Sequence, residues 1–341
     1  MTGPGPSTPP GATPPSGPDP ATAPGPAAPP APLTAPDQVI SASGPGGAIY
    51  DIGYRGYAGP RLGRAFAARA LIAHTVRGAF GIGRGGKSKI IPFGLLVFLL
   101  IPALISLGIT ALAGPLAEKI DPISYETYYS VTQVVLFIFI AAQAPELVGP
   151  DQRDRVLPLY FSRPIYRADY ALSKLIALVA ALLLFTLAPQ ALLFFGRILQ
   201  APELVDGISK NLPSLVPILL TALYISVLFA AIGLAISCLT SRRAYATVAI
   251  IAVFIASNAI GGILWSILRS QPDLRKWMSL LSIDTVLAGA TYFIFQTPAD
   301  QIENPVIRTA DLAGWIYLAM GLAIVAVAVA VIFRRYQRVE A

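Results

Sequence analysis

The stretch ALSKLIALVAALLLFTLAPQALLFF, residues 171–195, contains a single charged residue, Lys174. An α-helix rises about 1.5 Å per residue, so a helix of this length is longer than the roughly 30 Å thickness of a bilayer's hydrocarbon core. Lipid requires every backbone polar group to be satisfied within the protein, and a helix does this inside one segment. The stretch therefore predicts a transmembrane helix.

Five further apolar runs reach bilayer length: 90–113, 131–148, 213–239, 244–268 and 312–333. The chain of 341 residues is 55% hydrophobic and 13% charged, whereas about a quarter of the residues in soluble proteins are charged. These values exclude a soluble globular protein. We expect an all-α, polytopic membrane protein with six transmembrane helices in one domain at 90–341.

The basic residues predict the orientation of these spans. With the N-terminus inside the cell, 18 of the 25 lysines and arginines fall in cytoplasmic segments. Cytoplasmic loops carry such an excess of Lys and Arg. We therefore predict a multi-pass protein of the cell membrane with both termini in the cytoplasm. The net charge of +7 is explained by this bias and by contact with membrane lipid, and nucleic-acid binding is not expected.

Two segments precede the first span. Residues 1–48 are rich in Pro, Ala, Gly, Ser and Thr, a composition that predicts a disordered cytoplasmic tail. Segment 55–89 is basic, and we expect it to form an amphipathic helix in the inner headgroup layer, followed by a glycine hinge. Apolar residues recur in the helix at mostly three- and four-residue spacings: Leu62, Phe66, Ile72, Val76 and Phe80.

The hinge GIGRGGKS, residues 81–88, matches the phosphate-binding pattern GxxxxGK[ST]. That pattern binds phosphate where a buried strand leads into the loop and a helix follows. Here a basic amphipathic segment precedes it and a membrane span follows within two residues, so we regard the match as spurious. We expect no enzyme, no catalytic residues and no cofactor bound by this chain. One cysteine and one histidine also predict no metal site.

Segment 277–296 is nearly apolar apart from Asp284 and is long enough to be a seventh span. A seventh crossing would place the basic C-terminal cluster, Arg334 to Arg338, outside the cell, against the charge bias. We therefore predict a re-entrant or interfacial segment on the outer face, within 269–311.

Polar residues are few inside the predicted spans. The candidates to line a translocation path are Gln133, Gln143, Tyr224 and Asn258, and helix packing is the competing interpretation of polar residues in a span. Ion-coupled carriers usually place ionisable groups or unwound backbone near the bilayer midplane. The near absence of charge in the spans argues against that class of transporter.

The densest charged segment is the cytoplasmic loop at 149–170. It begins with alternating acids and bases, continues with an apolar patch and an Arg-Pro break, and returns to the membrane with further charges. We expect a short amphipathic helix at 149–163 that docks into a groove on a soluble partner. A solvated loop on lipid headgroups is the alternative. The candidate contact residues are Asp151, Arg153, Asp154, Arg155, Leu157, Tyr160, Arg163, Pro164, Arg167 and Asp169.

This segment resembles the corresponding loop of the ABC type-2 permease family. The family pattern has an acidic residue, a basic pair, a leucine-rich stretch, a Ser-x-Pro and an aromatic before Lys-Leu. The matching elements are Asp151, Arg153 to Arg155, Leu157 to Leu159, Ser162-Arg163-Pro164, Tyr170 and Lys174-Leu175. The order of predicted helices and loops over about 280 residues is also similar to that of the family. Many relatives carry Gly-Thr where this chain has Arg155-Val156.

The chain is similar in particular to permeases labelled for multicopper-enzyme maturation. Its one His, one Cys and three Met are too few soft ligands for it to carry copper itself. The family resemblance implies two paired permease copies, here a homodimer, and a separate ABC ATPase subunit that binds ATP and Mg. It also implies an exporter in which the loop transmits the ATPase's movement, with Pro145 and Pro164 as stiff ends.

Two other functions are compatible with the sequence. An ATP-independent polytopic carrier or channel would transport solute as the purified chain and would not need the charged loop. A membrane scaffold or sensor would depend on the Pro-rich tail for its partners. The transported substrate does not follow from the residues.

Overall fold

The computed structural model describes residue 59 and residues 62–113, 123–162 and 165–338. Tail 1–48 lies outside these residues, as do Arg163 and Pro164 of the predicted loop. The described part of the chain contains helices and no strand, and every helix belongs to the unit Pro60–Ala341. The predicted all-helical fold class is confirmed for these residues.

Six helices are long and apolar enough to cross a membrane, which confirms the predicted number; the count is seven if a bent pair in the segment before the last helix is taken as one span. The six are α2, α3, α5, α6, α7 and α11. The α-helices are α1 (Arg64–Ala79), α2 (Lys87–Ala113), α3 (Tyr125–Arg153), α4 (Leu157–Phe161), α5 (Arg167–Gln200), α6 (Leu204–Ser237), α7 (Arg243–Ile267), α8 (Pro272–Met278), α9 (Ile283–Phe295), α10 (Pro305–Ala310) and α11 (Gly314–Gln337).

Several spans are longer than their apolar runs. Helix α3 covers Tyr125–Arg153, whereas hydropathy predicts 131–148, and α6 begins at Leu204 instead of 213. Once a helix has formed, each added residue gains a backbone hydrogen bond, so polar residues extend it readily. The start of α3 is also capped, because the Ser124 side chain accepts a hydrogen bond from the Thr127 N–H.

The centre of the bundle consists of α3, α5 and α6. The rings of Phe139 on α3 and Phe185 on α5 stack with centroids 4.3 Å apart, and both side chains are fully buried. Helix α6 approaches α3 at Gly233, where an added Cβ would lie 2.5 Å from Ile140 Cγ1. A small residue at such a contact allows two helix backbones to approach closely.

Helices α2, α7 and α11 lie at the periphery of the bundle. In each of them less than a quarter of the most apolar stretch is buried inside the chain. Their exposed side chains are nevertheless apolar, including Val97, Ile255 and Leu322. An apolar surface of this extent is stable in lipid and would aggregate in water.

Two proline residues lie inside α3, at Pro145 and Pro150. Proline has no N–H, so the carbonyl four residues earlier loses its helical partner. The Ala141 carbonyl instead accepts a hydrogen bond of 3.0 Å from Thr247 Oγ1 on α7. Pro145 therefore lies within a continuous helix, and its role as a stiff end of the loop stays a prediction.

The segment between α7 and α11 is built of short helices. The pair Pro272–Leu281 and Ile283–Phe295 is bent by 96° at Ser282. Ser282 caps α9, accepting a hydrogen bond from the Thr285 N–H. Helix α9 packs on α11, where Gly289 lies directly against the Tyr317 ring.

Helix α1 packs along α5 and α3. A helix is present within the predicted segment 55–89, at Arg64–Ala79, whereas residues 55–58, 60 and 61 are outside the described part. Its location in the headgroup layer stays a prediction. Its buried face consists of Leu71, Thr75 and Ala79. Phe66, expected to face lipid, is exposed.

Candidate functional site

One end of the bundle collects most of the charged contacts of the described residues. We call it the loop end and define it as residues 81–89, 146–162, 165–170, 237–243 and 334–338. It contains the starts of α2, α5 and α7 and the ends of α3, α6 and α11. The predicted coupling loop lies here, between α3 and α5.

Asp151 joins α3 to α5. Its Oδ2 atom accepts a hydrogen bond of 2.6 Å from the Tyr170 hydroxyl and lies 2.8 Å from Lys174 Nζ. Lys174 also donates to the Leu147 carbonyl at 2.7 Å, and only 5% of the residue is exposed. A buried ion pair with these additional hydrogen bonds holds the two helices in one arrangement. Asp151, predicted to contact a partner, is therefore bound within the chain.

Glu146 forms a second link between elements. One carboxylate oxygen lies 2.8 Å from Arg84 Nη1, in the turn between α1 and α2, and the other lies 2.6 Å from Arg243 Nη1, at the start of α7. A single side chain thus joins three parts of the loop end. Sequence reasoning missed Glu146; the one available signal was a carboxylate at the end of an apolar run.

Asp169 forms a third link, to α1. The Arg64 guanidinium donates to both carboxylate oxygens, and the Tyr166 N–H donates to Asp169 Oδ2 at 3.0 Å. The neighbouring Asp169 carboxylate raises the pKa of the Arg64 guanidinium above its ordinary value. Arg167 donates to the Gln337 carbonyl at 3.2 Å, which joins α5 to the end of α11.

The loop itself is two helical pieces, not the single helix expected at 149–163. Helix α3 continues to Arg153, a turn follows at Asp154 and Arg155, and α4 covers Leu157–Phe161. Arg155 has a φ of 53°, in the left-handed region. Pro158 lies in the first turn of α4, where its missing N–H would have no helical partner in any case.

The turn presents charged side chains to the surface. Arg153, Asp154 and Arg155 are all exposed. Arg153 Nε lies 2.9 Å from Asp154 Oδ1, and this guanidinium lowers the pKa of the Asp154 carboxyl. Leu159 is 68% exposed. We call Arg153, Asp154, Arg155, Pro158 and Leu159 the exposed turn.

The other apolar residues of the loop face inward. Leu157 is buried in the main core, and the Tyr160 ring lies 5.5 Å from the Tyr170 ring, centroid to centroid. They therefore fasten α4 to α5. Of the apolar patch predicted from the sequence, Leu159 is the residue that projects from the surface.

A cleft of about 510 Å³ opens beside the exposed turn. On one wall Gln152 donates to the Cys238 carbonyl at 3.2 Å, and from the other Arg335 donates to the same oxygen at 3.1 Å. The cleft is lined by Gln152, Arg155, Leu157, Pro158, Leu239, Thr240, Ser241, Arg335 and Tyr336.

The GIGRGGKS turn connects helix α1 to helix α2. Gly81 and Gly83 have φ values of 66° and 88°, which glycine adopts without strain. The Ser88 hydroxyl is directed at the Gly85 and Gly81 carbonyls, 2.8 and 3.3 Å away, and Arg84 pairs with Glu146. The element before the turn is a helix, whereas a nucleotide-binding loop follows a strand.

The candidate path residues divide into two groups. Gln133 and Asn258 line one cavity of about 310 Å³, together with Val134, Phe137, Phe229, Phe254, Ile255, Ile283, Asp284 and Leu287. Gln143 is buried ten residues further along α3, about 15 Å away. Tyr224 is buried with its hydroxyl against Gly321 of α11. The path prediction stays a prediction for all four.

Asp284 belongs to this cavity and was not among the predicted site residues. Gln133 lines the same cavity as Asp284. Asn258 Oδ1 accepts from Ser282 Oγ at 2.7 Å and from the Asp284 N–H at 3.3 Å. The signal available in the sequence was a lone acid in the apolar segment 277–296.

No group of three or more His, Cys, Asp or Glu that could hold a metal ion occurs within residues 62–113, 123–162 and 165–338. No protein-family model matches the chain, and no curated protein matches it.

Proposed function

We propose that this chain is the permease subunit of an ABC transporter of the type-2 permease family, an exporter that works as a homodimer with a separate ATPase. The loop end faces the cytoplasm in this proposal, because it carries the basic residues that mark cytoplasmic segments. Helix α1 lies at the inner membrane surface, and the bent α8–α9 segment is re-entrant from the outer side.

The observation that carries the proposal is the attachment of the exposed turn to two spans at once. The turn follows α3 directly, and Asp151, two residues before Arg153, is bound to Lys174 on α5. A force applied to the turn would therefore act on the second and third spans together. If another protein supplies the energy for transport, its movement must be transmitted to the membrane spans in such a way.

The cleft beside the turn supports the same proposal. Its walls come from α3, α4, the α6–α7 turn and α11, so an inserted side chain would contact four elements. Aromatic and aliphatic anchors in such pockets supply most of the affinity of a protein interface, and rim charges set its orientation. In this proposal, Arg153, Asp154 and Arg155 form the charged rim of the interface with the ATPase. Asp151 and Asp169 position the loop and do not contact the partner.

Co-expression with the ATPase encoded nearest to its gene tests this proposal. The tagged full-length chain is purified from membranes, and both bound ATPase and ATP hydrolysis in lipid nanodiscs are measured. We expect the double variant Asp154→Ala/Arg155→Ala to lose both. The matched control is Asp273→Ala/Lys276→Ala, which removes an exposed acid–base pair on α8 and should retain both.

Two results would overturn the proposal. One is full ATPase binding and coupling in the Asp154→Ala/Arg155→Ala variant, which would remove the loop from the coupling path. The other is uphill transport by the purified chain alone in vesicles. That second result would favour the ATP-independent carrier, for which the carboxyl group of Asp284 among the spans is the supporting observation.

A further inference from the structure

The cavity between α3, α7 and α9 combines one carboxylate with aromatic walls. Asp284 is placed at the start of α9 and lines the cavity together with Gln133, and Asn258 Oδ1 accepts a hydrogen bond from the Asp284 backbone N–H. Phe254 lies between two other rings, 4.6 Å from the Phe137 centroid and 5.1 Å from the Phe229 centroid. Both Phe229 and Phe254 are buried.

The Asp284 carboxylate has no cationic partner in the part of the chain that the structure describes. Ion pairs in that part of the chain hold other carboxylates, among them Glu146, Asp151, Asp154, Asp169 and Asp273. Along α3, Gln133 is eight residues from the helix start at Tyr125, which places the cavity about 12 Å along that helix from its start. An ionisable group among membrane-spanning helices is rare and usually functional.

A purely structural role does not account for this arrangement. An acid in the first turn of a helix is stabilised by the helix dipole, and Asp284 occupies that position in α9. The dipole requires neither a cavity nor three phenylalanine rings beside the acid. Ser282 already caps the helix by accepting from the Thr285 N–H.

We propose that this cavity binds an organic cation with an apolar body, such as a substituted ammonium, and that cations of this class are the transported substrate. The Asp284 carboxylate neutralises the charge, and the phenylalanine faces attract the cation through their π electrons. The substrate assignment rests on the proposed permease function; the binding site itself does not. A volume of about 310 Å³ accommodates one aromatic ring with its ammonium group.

Equilibrium binding of radiolabelled benzyltrimethylammonium tests the site. The full-length chain is placed in nanodiscs of zwitterionic lipid, so that the bilayer does not compete for the cation. We expect saturable binding that Asp284→Asn weakens at least about tenfold, because the amide keeps the size of the side chain but not its charge. Asp284→Glu should retain most of the affinity.

A second variant and a matched control guard against misfolding. Phe137→Leu keeps an apolar side chain, leaves Asp284 untouched and should still weaken binding, because it removes one ring of the wall. Asp273→Asn removes a carboxylate that is 94% exposed on α8 and should bind as the unaltered chain does. Absence of saturable binding overturns the proposal. It is also overturned if the Asp284→Asn variant elutes as a single species on gel filtration and binds with the same affinity as the unaltered chain.

Failure of this inference is distinguishable from failure of the permease proposal. The binding measurement uses the isolated chain and no ATPase, whereas the coupling experiment varies residues at the loop end. Binding without a coupled ATPase would retain the site and overturn the permease assignment. The substrate class would be overturned if the rate of ATP hydrolysis by a coupled ATPase did not change on addition of benzyltrimethylammonium and was the same with the Asp284→Asn variant as with the unaltered chain.

Discussion

Lys174 Nζ lies 2.8 Å from Asp151 Oδ2, and this contact joins the third span to the end of the second. The two residues are brought together by the packing of α3 on α5 and by the Tyr170 hydroxyl, which donates to the same carboxylate oxygen. Lys174 is among the least exposed charged residues of the described chain. The loop end therefore depends on an ion pair that is largely shielded from solvent.

Replacing Asp151 by Asn should destabilise the protein by about 3–5 kcal/mol, because Lys174 would remain buried without its counter-ion. The free energy of unfolding in a mixed-micelle denaturation series measures this. Asp273→Asn is the control, since its pair with Lys276 is exposed and should contribute almost nothing. An Asp151→Asn variant as stable as the control would show that the ion pair does not hold the helices together.

Gly233→Ala should cost about 1–3 kcal/mol, because the added methyl group would meet Ile140 at 2.5 Å in a packed core. The matched control is Gly262→Ala on α7, where nothing lies within 4 Å of an added Cβ. Alanine has the better helix propensity, so the control should gain about 0.5–1 kcal/mol. Equal thermal midpoints for the two variants would contradict the close contact between α3 and α6.

Cysteine labelling should separate the two neighbouring leucines of α4. In a Cys238→Ala background, Leu159→Cys should react rapidly with a membrane-impermeant maleimide, and Leu157→Cys slowly, because the two residues are 68% and 6% exposed. Leu159→Cys should react in inside-out vesicles. Leu274→Cys, on α8, should react in right-side-out vesicles. Reaction of both sites from one side would contradict the proposed placement of α4 and α8 on opposite faces of the membrane.

Deletion of residues 2–48 should leave ATPase coupling nearly intact. The exposed turn and the cleft are built from residues between Gln152 and Tyr336, so the proposed coupling does not use the tail. ATP hydrolysis by the co-purified complex measures this. Loss of coupling in a well-folded deletion variant would instead support a scaffold function for the tail.

Helix α1 illustrates which structural features can be predicted from residue patterns and which cannot. Its existence and basic character follow from spacing and composition, which are local properties. Its buried face, however, includes Thr75 and Ala79, whereas hydropathy selects larger side chains such as Phe66. Small residues are buried where two helices approach closely, and the position of that approach depends on α5 and α3.

Hydropathy and charge in the amino-acid sequence were sufficient to predict six spans, because helix formation in lipid depends on each segment's own length and polarity. They also identified the charged loop and two of the cavity's residues, Gln133 and Asn258. The contacts of Asp151 with Lys174, of Glu146 with Arg84 and Arg243, and of Asp284 with Asn258 came from the packed bundle. These partners lie on different helices or turns, and their pairing depends on how the helices rotate and pack against each other, which no local pattern encodes.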